Sequence, residues 1–228
     1  MCGIYSSISP RGFQPPGSSL KLLLSNRGPD HIGEAQTEVG NGRKTYYLSF
    51  TSTVLALRGG HIQVQPFVDS ESGSILCWNG EAWKFGSEPI VGNDGHTVFE
   101  SLVQATSHQL YSDSNTAVLR VLRNISGPFA FVFLDKINCQ IYFGRDRLGR
   151  RSLLYNTESH PECMEFASTS DPGSIGWKEV EADAIYQLSC SSARDRHKSD
   201  DHLSTTSILP LRRHTWTPGK LISSVSRP

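Results

Sequence analysis

The order in which extended and helical runs follow one another constrains this chain more than any single motif. Short runs rich in β-branched and aromatic residues come first: CGIYSSIS from Cys2, TYYLSF from Thr45, TVLALR from Thr53 and SILCW from Ser74. Two more, FAFVFLD from Phe129 and QIYFGRD from Gln140, come late. An early leucine-rich helix is predicted over Ser18 to Asn26. A longer one spans Asp94 to Leu110, with Val98, Phe99, Leu102 and Val103 on one face and Asp94 placed as N-cap. A shorter helical run, TAVLRVLRNI, precedes the turn at Gly127-Pro128. Strands, then helices, then strands again argue against a βαβ repeat. The pattern fits an α+β fold of antiparallel sheets layered with helices.

The run of structure ends near Cys190. SSARDRHKSDDHLSTTS mixes charges of both signs and has almost no apolar residues, so it cannot bury enough surface to offset its ordering entropy. The folded unit is therefore read as 2–188, and 189–228 as a linker or disordered tail too poor in apolar residues for a second domain. Lys+Arg and Asp+Glu are balanced at 22 each, which gives no electrostatic case for a nucleic acid or an anionic membrane as partner. No apolar run reaches the roughly 20 residues needed to cross a bilayer, and the start lacks a secretory signal. The five cysteines have no CxxC spacing, so neither a metal site nor a disulfide framework is expected, and a cytoplasmic setting follows.

One of those cysteines stands directly after Met1. Loss of Met1 would leave Cys2 carrying both a thiol and the free α-amine. A thiol with a pKa of about 8.5 is only a few per cent ionised at neutral pH. An α-amine titrating at about 7.7–8.0 can take its proton, directly or through a water. Acyl transfer through such a nucleophile needs donors aimed at the developing oxyanion. An amino-acid substrate also needs a guanidinium for its carboxylate and a carboxylate for its ammonium. Asn79 and Gly80 of WNGE, Arg58 at the end of LALRGG, Glu81 and Asp94 offer these groups. Read singly, each has a plainer role. Asp94 would cap a helix, Arg58 would be a surface charge, and Asn79-Gly80 would close a hairpin turn. Arg145, Asp146 and Arg147 would form an ion-pair cluster at a strand end. Cys77, Cys139 and Cys163 sit among apolar neighbours and read as inert core residues.

Six stretches fall in one order: MCGI at 1–4, NRGPD at 26–30, WNGE at 78–81, NDGHTVFE at 93–100, GPFAFVFLD at 127–135 and GRDRLGRRSLLY at 144–155. In that order and style the chain resembles the class II glutamine amidotransferase domains, nearest the asparagine synthetase branch. The resemblance covers about Cys2 to Leu188. It implies an N-terminal-nucleophile αββα sandwich, two antiparallel sheets flanked by helices. It also implies glutamine hydrolysis to glutamate and ammonia through a Cys2 thioester, for asparagine biosynthesis. Cys2, Asn79 and Gly80 would be catalytic, and Arg58, Glu81 and Asp94 would bind substrate. Arg27 to Asp30 would shape the site.

Several departures are visible. Asn26 replaces a histidine, Ser152 a proline, and the loop between Arg58 and Gln65-Pro66 is short. No Ser-Gly-Gly-x-Asp-Ser pyrophosphate loop occurs in 1–228, so a synthetase domain, normally present in cis, is read as absent. ATP and magnesium would belong to that domain, and no cofactor is expected in this chain. The short loop also leaves a second reading, a weakly active binding or regulatory module on the same fold.

Overall fold

The computed structural model describes residues 1–40, 44–57, 61–107, 114–160, 162–190 and 209–217. The chain opens with β1 (Gly3–Ser9), α1 (Ser18–Arg27), β2 (His31–Gly40) and β3 (Thr45–Val54). Next come β4 (Phe67–Val68), β5 (Ile75–Gly80), β6 (Lys84–Phe85) and β7 (Glu88–Pro89). Two helices follow, α2 (Asp94–Ser107) and α3 (Ser114–Arg123). The remaining strands are β8 (Ile125–Ser126), β9 (Phe129–Asp135), β10 (Gln140–Arg145), β11 (Leu154–Asn156), β12 (Met164–Ala167), β13 (Lys178–Glu179), β14 (Ala184–Ser189) and β15 (Leu211–Thr215).

Two six-stranded sheets carry the fold, one ordered β13-β11-β12-β1-β3-β2 and the other β15-β14-β10-β9-β5-β4. Every pairing between the named strands is antiparallel. The period-two geometry of a strand sends alternate side chains to opposite faces, and both faces are used. From the first sheet, Ile4, Ile8, Leu48 and Phe50 meet Ile75, Cys77, Val132, Leu134 and Phe143 of the second in one core between the sheets. The opposite set on the second sheet, Leu76, Trp78, Phe131 and Phe133, packs under Val98, Phe99, Leu102, Val118 and Leu122 of α2 and α3. Leu20 and Leu24 of α1 cover Tyr5 and Ala167 on the outer face of the first sheet. The layers are helix, sheet, sheet, helices: the expected αββα sandwich. Because its strands are buried on both sides, FAFVFLD reads as a continuous apolar run, not an alternation.

The elements differ from the sequence reading in three places. TYYLSF and TVLALR are not two strands; Thr45 to Val54 is continuous and pairs along its length with β2, a strand whose small and polar residues conceal it. The third helical run ends at Arg123, and Ile125 leaves it to pair with Phe85. The tail reading is corrected at 209–217. Residues 211–215 add an edge strand to β14, and Trp216 is only 6% exposed. An edge strand needs one paired backbone edge and few apolar anchors. Here Trp216 packs against Phe129 with ring centroids 5.9 Å apart and donates its indole N–H to the Ala182 carbonyl at 2.9 Å. Arg123 of α3 donates to the Thr215 carbonyl at 2.7 Å, and Arg213 pairs with Asp183. Residues 191–208 and 218–228 of the proposed tail lie outside the described residues.

Candidate active site

Cys2 stands half-buried immediately before β1, at the edge where both sheets and the start of α2 come together. The end of α1 fixes it from below. The Gly3 N–H donates to Thr53 Oγ1 at 3.0 Å, and that hydroxyl donates to the Leu24 carbonyl at 2.6 Å. Gly28 lies so close to β3 that a Cβ there would stand 2.5 Å from backbone atoms of Thr53 and Val54, which accounts for a glycine after Arg27. Arg27 donates from Nε to the Cys2 carbonyl at 3.5 Å and from Nη2 to Ser152 Oγ at 3.3 Å. Asp30 clamps the strand's exit: its N–H donates to the Val54 carbonyl at 3.0 Å, and its Oδ2 accepts the Ala56 N–H at 2.7 Å. Residues 27–30 thus position Cys2 and the segment after β3 together.

The facing wall is the end of β5. Asn79 and Gly80 do not close a hairpin; they stay in the ladder, opposite Ala130 and Phe129 of β9. Asn79 lies on the same face of β5 as Ile75 and Cys77, so its side chain turns between the sheets. It is 1% exposed, and its Nδ2 donates to no protein acceptor. A buried donor without an acceptor costs about 1–3 kcal/mol, so such an atom marks a place that expects a partner. Gly80 is fixed by space, since a Cβ would lie 2.7 Å from Phe129 Cβ and from the Trp78 ring. The Trp78 N–H is held by Gln65 Oε1 at 3.0 Å.

Asp94 is the first residue of α2, but it is not the cap. Asn93 Oδ1 accepts the His96 N–H at 3.0 Å and performs that task. The Asp94 carboxylate is released inward, 6% exposed, where Oδ2 accepts the Trp78 indole N–H at 3.0 Å and the Ala82 N–H at 2.8 Å. It is a fixed, buried negative charge facing the cleft.

The third wall was not legible as a site. The GRDRLGRR stretch forms an ion-paired loop after β10, with Arg145 on Glu179 at 2.6 Å and Asp146 on Arg150 at 2.9 Å. The loop delivers Arg151 into the cleft. Arg145 Nε donates to the Arg151 carbonyl at 2.7 Å. The Arg151 side chain contacts Met1 Sδ from Nη1 at 3.4 Å and Glu81 Oε1 from Nη2 at 3.9 Å. In the sequence Arg150 and Arg151 are indistinguishable neighbours. In the fold Arg150 turns outward onto Asp146 and the Trp83 ring, and Arg151 turns inward.

Met1, Cys2, Val54 to Leu57, Gln65, Asn79 to Glu81, Asp94 and Arg151 thus line one cleft of about 620 Å³, its open mouth included. Of the residues singled out from sequence, Cys2, Asn79, Gly80, Glu81 and Asp94 meet here, and Arg58 lies outside the described residues. Burial pushes the Cys2 thiol above its ordinary value; the Leu55 N–H, the chain-terminal ammonium and Arg151 pull it back, while Asp94 pushes it further. By contrast Cys77 and Cys163 are buried, which pushes their thiols up to about 12, as inert core residues would be, while Cys139 is only half-buried. A thiol, a buried amide donor and a fixed carboxylate around one cleft are groups that can serve acyl transfer.

A family model described as a glutamine amidotransferase domain matches residues 1–186. Asparagine synthetase domain-containing protein 1 of Mus musculus is 31% identical over 202 residues, covering 85% of this chain and 30% of that protein. Its Homo sapiens counterpart is 28% identical over 198 residues, covering 84% and 29%. A probable glutamine-hydrolysing asparagine synthetase of Acanthamoeba polyphaga mimivirus is 29% identical over 181 residues, covering 74% and 30%. This chain therefore spans about 30% of the length of these relatives. Among solved structures, the glutamine phosphoribosylpyrophosphate amidotransferase of B. subtilis shares the fold, with a TM-score of 0.61 at 14% identity, over 95% of this chain and 50% of that one.

Proposed function

The chain belongs to the glutamine amidotransferase domain family, and from that premise we propose that it hydrolyses glutamine at Cys2. After loss of Met1, the Cys2 sulfur attacks the side-chain amide carbon of glutamine, and the thiol proton passes to the Cys2 amine. The tetrahedral oxyanion is held by Asn79 Nδ2 and the Gly80 N–H. Collapse breaks the C–N bond, the amine returns its proton to the leaving nitrogen, and ammonia departs. A γ-glutamyl thioester remains. Water then attacks the thioester carbon, glutamate leaves, and the thiol is regenerated. Asp94 and Glu81 take the substrate ammonium and Arg58 its carboxylate. Ammonia release toward a synthetase partner would place the reaction in asparagine formation, and the names of the relatives support that direction.

The observation that carries the reading is the unpartnered, buried Nδ2 of Asn79 in the same cleft as Cys2. The test is glutamate release from glutamine by protein whose intact mass shows loss of Met1 and no acetyl group. Turnover that vanishes in Cys2→Ala is expected. Wild-type turnover no greater than that of Cys2→Ala would end the proposal.

A further inference from the structure

The loop after β10 is heavily reinforced for a connection. Asp146 accepts the Phe129 N–H at 3.1 Å and the Arg150 N–H at 3.0 Å through Oδ2, and the Leu148 N–H at 3.1 Å through Oδ1. Arg145 donates to the Arg151 carbonyl and, from Nη1, to the Val180 carbonyl at 3.1 Å. Arg150 donates to the Gly127 carbonyl at 2.7 Å. Unlike Arg145 and Arg150, Arg151 is left incompletely paired. Its Nε is buried without an acceptor, its Nη1 has only a thioether, and its Nη2 has only a carboxylate oxygen 3.9 Å away. A half-buried, half-satisfied cation costs free energy unless its field acts on something nearby. The thioether belongs to Met1, the residue whose loss would expose the amine and thiol of Cys2.

We propose that Arg151 is a positioning residue for Cys2: the loop fixes its guanidinium in the cleft that Cys2 lines, against Met1, and that charge helps decide how readily Cys2 becomes a nucleophile. The inference rests on the reading of Cys2 as the nucleophile. Each element packed around Cys2 contributes a group. Arg27 of α1 faces its backbone carbonyl, Asp94 of α2 and Glu81 after β5 bring negative charge, and the Leu55 N–H after β3 points to the sulfur. Arg151 and the chain-terminal ammonium are the charges that oppose Asp94 at the thiol, and Arg151 is the side chain of the two. Once Met1 is gone, the same charge repels a proton on the Cys2 amine and keeps more of that amine in its basic form.

The test reads the thiol without requiring turnover. The full chain, processed to begin at Cys2, is alkylated with iodoacetamide from pH 6 to pH 10, and the Cys2 peptide is followed by mass. Buried Cys77, Cys163 and Cys190 will react slowly. In Arg151→Gln the midpoint is expected to rise by about one pH unit, slowing alkylation at neutral pH roughly tenfold, with Arg151→Lys within about threefold of wild type. A profile for folded Arg151→Gln that superimposes on wild type overturns the proposal. Should Arg151→Gln not fold, wild type decides through reagent charge. Iodoacetate favoured over iodoacetamide, relative to free cysteine, supports a cation at the thiol; no preference overturns it. A shifted profile in a chain without glutaminase activity would keep this inference and remove the proposed function. Activity with an unmoved profile would do the reverse.

Discussion

Replacing Asn79 by alanine separates a transition-state donor from a structural amide by which of two measurements it moves. In the free protein Nδ2 has no acceptor, so the folded state already bears an unsatisfied donor worth about 1–3 kcal/mol against it. Alanine removes that donor together with a few side-chain atoms at a position 1% exposed, which costs packing of similar size. The two effects oppose, and the net change in stability should stay within about 1 kcal/mol, or roughly 2–4 °C in Tm for a domain of this size. Catalysis has no such offset. A donor aimed at a developing oxyanion is worth about 2.7–4 kcal/mol in the transition state, so kcat for glutamate release should fall about 10²–10³-fold while KM changes little. The assay is steady-state glutamate release by processed protein, paired with a thermal melt of the same preparation. A kcat within a few fold of wild type in protein that melts normally would refute the reasoning, and a large loss of Tm would return Asn79 to a purely structural role.

Asp94→Asn keeps the size of a side chain that accepts from Trp78 and Ala82 but removes its charge; KM for glutamine should rise by about tenfold or more, with a smaller effect on kcat, in a steady-state titration. Trp216→Ala should lower the Tm by several degrees, on the scale of about 3 kcal/mol for a buried tryptophan, and leave kcat per folded molecule unchanged, since Trp216 anchors β15 away from the cleft. Stability should fall as the pH climbs above about 9. The thiols of Cys77, Cys163 and Cys190 are pushed from 9.0 to about 12 by burial, so the unfolded chain releases their protons first and is favoured increasingly until the folded thiols ionise near 12. Urea midpoints at pH 7 and pH 10 measure this, and Cys77→Ala should flatten the decline.

How far the site could be read from the sequence depends on how local each cause is. The alternation of Ile75 and Cys77 is a property of one strand, but that the strand runs past SILCW to carry Asn79 between the sheets depends on its pairing with Ala130 of β9. The choice between Asn93 and Asp94 as helix cap is not local. Both residues can cap, and what decides it is that Trp78 and Ala82, brought by another strand, claim the Asp94 carboxylate. The strand at 211–215 escaped for a related reason. Its stability comes from backbone pairing with β14 and from one tryptophan on Phe129, so apolar content, the quantity that identifies a core strand, is low there. Arg151 is the extreme case, because only the completed loop distinguishes it from Arg150.

The departure at Ser152 shows how the same non-locality changes the meaning of a substitution. By the family resemblance alone, serine in place of proline is a lost rigid residue. In the fold its hydroxyl donates to the Ser168 carbonyl at 2.7 Å and accepts from Arg27 at 3.3 Å, while Ser168 Oγ accepts the Ile4 N–H at 3.0 Å. These bonds tie the residue after Arg151 to the backbone of β1 and to the arginine that holds the Cys2 carbonyl. Proline would fix one φ angle but could make neither side-chain bond. The serine instead couples the loop carrying Arg151 to the strand that Cys2 leads into. Ser152→Ala should therefore loosen the Arg151 side of the cleft more than the Asn79 side. Its alkylation profile at Cys2 should move part of the way toward that of Arg151→Gln, with kcat reduced by less than tenfold. A Ser152→Ala protein indistinguishable from wild type in both would show that the backbone of the loop, not this hydroxyl, sets the distance between Arg151 and Cys2.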